Sequence, residues 1–172
     1  MFHVKHNKFY FFIMFHVKHN KFCFYNVPRE TLEVIMDEYY MNLAIKQAKK
    51  ALKYDEVPVG AIIVKNNKII SKGFNKKEKT NNVIKHAEII AISEACKKLK
   101  NWRLDDCEIY ITMEPCMMCC GAILQSRIKK IVYGIKNENF GYSKNLKNIK
   151  IISQVCEPEC KKMVQSFFKK RR

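Results

Sequence analysis

The sequence is short of acid. Asp and Glu total 16 against 33 Lys and Arg, leaving a formal charge of +17. Such a deficit favours a polyanionic partner, and nucleic acid is the commonest. A bias of coding composition is the alternative source, because Lys, Asn and Ile are all abundant. The chain also lacks any apolar run of the roughly 18 residues that a spanning helix needs, which excludes a membrane helix. No small-residue cleavage site follows the apolar stretch near the start, so a secretory signal is not supported. The same stretch lacks the Arg and Ser of most transit peptides. Without a secretory route, the eight cysteines read better as metal or redox chemistry than as a disulfide framework.

What is present is enough for one globular domain. The 172 residues are 48% apolar and 28% charged, as in soluble folded proteins, and can bury a core without disulfides. Residues 1–35 stand apart. The nonapeptide MFHVKHNKF occurs at Met1 and again at Met14, around the aromatic run from Phe9 to Phe15. One pair of copies is too short for a solenoid. We read residues 1–35 as an extension outside the fold and 36–172 as the folded domain, with Met36 at the head of a helical pattern. Four of the five histidines, His3, His6, His16 and His19, lie in the repeat. Compositional accident explains them better than a metal role. Without this segment the body remains strongly basic.

The body alternates between helical and strand patterns. Asp37 to Lys53 repeats apolar residues at three- and four-residue steps, with lysines on the other faces. Ala61 to Val64 and Lys68 to Phe74 flank Asn66-Asn67, a hairpin signal. Lys76 to Lys85 reads as loop, Ala87 to Leu99 as helix and Glu108 to Met113 as strand. Pro115 stands where a helix accepts its first residue, and Met117 to Ser126 continues it. Lys130 to Tyr133 is a strand closed by Gly134, Asn137 to Asn148 is loop, Ile149 to Val155 a last strand, and Pro158 to Lys170 a terminal helix. This order predicts an α/β layer fold, a sheet with helices on its faces.

The body holds a single histidine, His86, in the run His86-Ala87-Glu88; Cys116 and Cys119 follow Pro115. One imidazole and two thiolates suit zinc, and three protein ligands leave a fourth position for water, the mark of a catalytic site. Cys116 and Cys119 share a helix face, at a helix N-terminus whose dipole favours thiolates. Glu88 is an acid in an apolar run, where an unpaired carboxylate is costly. Beside a zinc water it becomes a proton shuttle. A four-cysteine structural site from Cys116, Cys119, Cys156 and Cys160 is the rival, and it leaves His86 and Glu88 without a role. Cys96, Cys107 and Cys120 read as filler; Cys120 points about 100° round the helix from Cys119.

On these residues the body resembles the cytidine/deoxycytidylate deaminase superfamily, and within it the bacterial tRNA adenosine deaminases. The resemblance runs from about Met36 to the C-terminus. It rests on Glu56-Val-Pro-Val-Gly-Ala61, Gly73-Phe-Asn75, His86-Ala-Glu88, Trp102-Arg-Leu104, Glu114-Pro-Cys-Met-Met-Cys119, Gly121-Ala-Ile123, Ser126-Arg-Ile128 and Tyr133-Gly134. It implies a three-layer α/β/α fold with a mixed sheet of about five strands. It implies one Zn2+ per subunit on His86, Cys116 and Cys119. Glu88 would move a proton from the zinc water to the ring nitrogen, so that hydroxide attacks carbon 6 of adenine and inosine remains. Asn75 would hydrogen-bond the flipped base, with Val57, Met113 and Ala87 around it. The basic aromatic tail, Phe167, Phe168, Arg171 and Arg172, would grip the tRNA anticodon loop; a terminal helix packing its aromatics into the core is the other reading of those four. The family's enzymes are homodimers, and a cytoplasmic enzyme is expected, or an organellar one if residues 1–35 target it. Two stretches depart from the family pattern. The segment between Gly134 and Ile151 is short, and Asn81 to Lys85 replaces a proline-containing approach to the histidine. Two rivals remain: a deaminase of a free guanine- or cytosine-type base, and a non-enzymatic zinc module that binds nucleic acid.

Overall fold

The structure is a computed structural model and describes residues 28–171. The duplicated segment, its four histidines and Arg172 lie outside the described residues. Helix α1, Arg29–Ala51, opens the fold. It begins eight residues before the expected start at Asp37, so helix runs across the expected boundary at residue 36. Its first turns are helix-compatible: Glu30 stands at the positive end of the dipole, and Arg29 pairs with Glu33 one turn on.

Five strands follow in one mixed sheet: β1 (Gly60–Lys65), β2 (Lys68–Phe74), β3 (Cys107–Met113), β4 (Lys130–Ile135) and β5 (Lys150–Ile152). Their order is β2-β1-β3-β4-β5. The pairs β1/β2 and β1/β3 are antiparallel, and β3/β4 and β4/β5 are parallel. The hairpin joining β1 and β2 turns on Asn66 and Asn67, both left-handed at φ 49° and 58°. That is the type I′ pattern whose twist matches the strands, and asparagine tolerates it. The remaining helices are α2 (Lys77–Thr80), α3 (Ala87–Leu99), α4 (Met117–Gln125) and α5 (Glu157–Lys169).

Alternate residues of the central strands face opposite helical layers. Ile63, Ile109, Ile111 and Ile131 pack with Ala87, Ala91 and Ala95 of α3 and Ile123 of α4. On the other face the rings of Tyr40 (α1) and Tyr110 (β3) lie 5.0 Å apart, and Gly134 of β4 meets Cys160 of α5. The fold is therefore the expected three-layer α/β/α arrangement with five strands. Burial on both faces explains why β1 and β3 are almost continuously apolar.

Three local expectations are corrected. Gly134 does not end β4; the strand runs through it to Ile135. A Cβ at Gly134 would stand 2.5 Å from Cys160 Sγ and 2.8 Å from the Thr112 carbonyl, so the glycine marks a close approach of α5 and not a turn. Pro115 is not the first helical residue, because Cys116 is the N-cap of α4. The segment expected as loop from Lys76 to Lys85 contains the short helix α2.

Gly60 is the other close approach. A Cβ there would overlap Ala44 O and Ala48 N and stand 3.0 Å from Ala48 Cα. Those are backbone atoms of α1, which cannot swing aside. Gly60→Ala is expected to cost about 1–3 kcal/mol by overpacking, read as a lower urea midpoint at unchanged m-value.

Candidate active site

Strands β2, β3 and β4 run in the same direction, so their carboxyl ends share one edge of the sheet with the start of β1. Ligands of α/β sheets bind at such an edge. Helices α3 and α4 both begin there. Their N-caps are His86, at φ −74° and ψ 155°, and Cys116, at φ −74° and ψ 172°. Extended backbone at the N-cap turns each side chain out of its helix, and Cys119 stands one turn into α4.

These three side chains converge. His86 Nδ1 lies 3.8 Å from Cys116 Sγ and 3.5 Å from Cys119 Sγ. All three donor atoms fall within 4.8 Å of one another, and among the described residues no other set of three His, Cys, Asp or Glu side chains does so. Nitrogen and sulfur ligands of a tetrahedral zinc, at about 2.0 and 2.3 Å from the ion, stand about 3.5 Å apart. The donor set therefore fits zinc. With a metal on Nδ1 the ring proton would sit on Nε2; without one, Nδ1 can donate to the Cys116 sulfur. The four-cysteine alternative fails, since Cys160 is buried in α5 against β4.

The electrostatics follow the same geometry. A hydrogen bond from Cys119, then one from His86, holds the Cys116 thiol down at about 4. The Cys119 thiol moves up, because it is the donor in that bond and is buried. The hydrogen bond to Cys116 raises His86, against its burial. The pair of sulfurs thus carries one negative charge readily, and a dication would favour the second.

Glu88 occupies the first turn of α3 and is 4% exposed. Its Oε2 is the one buried side-chain oxygen or nitrogen without a hydrogen-bond partner among the described residues. Burial pushes its carboxyl up, more than its own backbone N–H and His86 pull it down. A buried, unpartnered carboxylate oxygen is costly and rare. Beside three side chains that could hold a metal ion, such an oxygen could carry a proton.

The site opens into a cleft of about 500 Å³ lined by Val57, Asn75, Glu88, Met113, Phe140 and Phe168, among others. Four of the expected site residues, Val57, Asn75, Met113 and Phe168, thus meet the metal set in one cavity. Asn75 also has a structural task. Its Oδ1 accepts the Ala87 N–H at 2.9 Å and its Nδ2 donates to the Val57 carbonyl at 3.2 Å. This ties the ends of β2, β1 and α3 together and leaves one amide proton and one lone pair for a ligand. The Ala87 N–H is taken by Asn75, and its side chain is fully buried in the core.

The tail divides. Phe168 is 47% exposed, whereas Phe167 is 6% exposed. Phe167 is therefore not placed to stack on a base: the amphipathic period of α5 turns it inward. Arg171 pairs with Asp55, donates to the Asp55 carbonyl at 2.7 Å and covers the Phe167 ring at 4.4 Å. Its guanidinium is thus engaged within the chain.

Two acids had no role in the sequence reading, though both lie in the quoted motifs. Glu56 is 1% exposed and accepts the Lys79 N–H at 2.9 Å, holding α2 beside the cleft. Glu114 accepts from the segment after β4. For Glu114 the available signal was an acid directly before a proline after an apolar strand; Glu56 offered none beyond its place in the quoted motif.

Comparison with known proteins accords with this geometry. Residues 35–172 match the MafB19-like deaminase family. The tRNA-specific adenosine deaminase of Bacillus subtilis (strain 168) is 42% identical over 146 residues, covering 79% of this chain and 91% of its own. A solved structure from work on A-to-I editing by tRNA:A34 deaminases superposes with a TM-score of 0.68 at 32% identity, covering 73% of this chain and 98% of that one. The guanine deaminase of Bacillus subtilis is 39% identical at a TM-score of 0.55, covering 58% of this chain and 64% of that one.

Proposed function

The chain belongs to the family of tRNA-specific adenosine deaminases, and on that premise we propose that it converts adenosine to inosine at the wobble position of tRNA with one zinc ion per subunit. The observation that carries the reading is the unpartnered Oε2 of Glu88 beside the convergent His86, Cys116 and Cys119. Those three residues would hold the zinc. When bound, it supplies a Lewis acid that makes water a nucleophile near neutral pH.

The chain's own residues do the rest. Asn75 orients the purine with its free amide proton and lone pair. Val57 and Met113 form apolar walls that exclude bulk water. Glu88 takes a proton from the attacking water at Oε2 and passes it to the ring nitrogen as water adds at carbon 6; it then carries the remaining hydroxyl proton to the amino group, the C–N bond breaks, and ammonia leaves with the new carbonyl in place. The raised carboxyl suits a group that must both accept and release a proton.

The RNA side rests on charge and shape. The chain carries +17, and Phe168 stands half-exposed on the cleft, where a splayed base would stack. A homodimer is supported by α4, which carries no charged residue and exposes Met117 at 66% and Leu124 at 44%. We place the enzyme in the cytoplasm, and the catalytic domain from about residue 36, which the family match from residue 35 supports; the last seven residues of the 1–35 segment, Arg29 to Ile35, continue its first helix. No described helix is long and apolar enough to cross a membrane.

The likeness to guanine deaminase favours a free base as the second reading. The deciding experiment gives zinc-loaded protein an anticodon stem-loop with adenosine at the wobble position, and in parallel adenosine, guanine and cytidine. Inosine in the RNA alone is the expected result. Turnover of a free base alone overturns the tRNA reading and keeps the chemistry.

A further inference from the structure

Glu114 lies between the end of β3 and the N-cap Cys116 of α4, and no step of the proposed reaction uses it. Its carboxylate is fully engaged elsewhere. Oε2 accepts the Asn137 N–H at 3.2 Å. Oε1 accepts the Ser143 N–H at 3.3 Å and the Ser143 hydroxyl at 2.5 Å. Gly141 packs on the same carboxylate so closely that a Cβ there would overlap it. The backbone adds two links to the same turn: the Tyr142 N–H donates to the Pro115 carbonyl at 3.1 Å, and Cys116 bridges Gly141.

The segment so held has only the single turn Ser143–Asn145 of regular structure. Yet Lys136, Asn137, Asn139 and Phe140 from it form one wall of the cleft, and Phe140 is 72% exposed there. Within it Asn137 accepts the Phe140 and Gly141 N–H groups, which shapes the turn; where the turn stands is set by what it is tied to. The tie runs to the residue two places before a metal ligand, so wall and metal set are fixed to one turn. Three acceptor positions on one side chain call for a carboxylate, because an amide has a single accepting oxygen, and bonds to a charged acceptor are the stronger kind.

We infer that Glu114 is a positioning residue that fixes the 136–143 wall against the metal-binding turn, and thereby sets affinity for the RNA substrate without taking part in turnover. The inference rests on the proposed tRNA reading for its substrate, and on the structure alone for the latch.

The test compares the zinc-loaded full chain with Glu114→Gln and with Ser143→Ala, which removes one of the three bonds. Glu114→Gln is expected to raise KM for the stem-loop about tenfold, with kcat within about threefold of the parent. Ser143→Ala should give a smaller rise, and it serves alone if Glu114→Gln does not fold. Hydrogen exchange gives a readout independent of activity: amides of residues 136–143 should exchange faster, with α3 and α4 unchanged. An unchanged KM in an active enzyme, a fall confined to kcat, or unchanged exchange would each overturn the inference. If the parent does not deaminate the stem-loop, the tRNA reading fails, and the exchange result alone decides whether Glu114 latches the wall.

Discussion

Glu88→Gln is expected to lower kcat on the stem-loop by about 10²–10⁴-fold, the usual contribution of a positioned acid–base group. The amide has the same shape, so His86, Cys116 and Cys119 keep their places and zinc should remain at one ion per chain. Stability should not fall. Glu88 is 4% exposed with an unpartnered Oε2, so the native carboxylate carries a desolvation cost that the amide lessens. A melting temperature equal to or above the parent's, with zinc retained and turnover lost, is the signature of a group kept for chemistry. The checks are metal analysis, a thermal melt and single-turnover inosine formation. Normal turnover by Glu88→Gln would remove the proton carrier from the mechanism. A large fall in Tm would assign Glu88 to the architecture.

Cys116→Ala should abolish both zinc binding and activity. Cys116 is the better choice of the two sulfurs, because Cys119 is fully buried and its truncation would also leave a cavity. Loss of one of three protein ligands leaves too little of the site to retain the ion through dialysis. The fold should survive, because the sheet core of Ile109, Ile111, Ile123 and Ile131 does not pass through the metal. The parent's Tm should rise with added zinc, since a ligand bound only to the native state stabilises it by mass action. The variant's Tm should not respond. If Cys116→Ala bound zinc as the parent does, the ligand set would be wrong. If it unfolded, the site would be structural.

Sequence alone determined the residue types of the chemistry. A single histidine in the body, two cysteines three apart after a proline, and an acid in an apolar run leave few consistent chemistries. Those signals are local: three residues apart is one helix turn, whatever the fold. Strand and helix order was legible for the same reason, because a two-residue or 3.6-residue period is written along the chain. The first residue of α1 was not: Leu32, Ile35 and Met36 keep the three- and four-residue spacing, but they follow directly on the aromatic, repeated segment, which masks where the helical pattern starts.

The tertiary structure decided everything that depends on which ends of elements meet. Only the sheet order brings Asn75, His86, Cys116 and Phe140 to one edge, because residues far apart in sequence have no period that links them. Gly134 reads as a stop in sequence and is a contact in space, as its neighbour Cys160 lies 26 positions on. Phe167 and Phe168 are alike as letters; α5 turns one into the core and the other toward the cleft. Arg171 reads as a cation for the anticodon loop and is engaged by Asp55. Glu56 and Glu114 had no role by sequence, and each holds a wall of the cleft through backbone N–H groups. Composition and spacing fix what a side chain can do; burial and partners, set by long-range packing, fix which of those things it does.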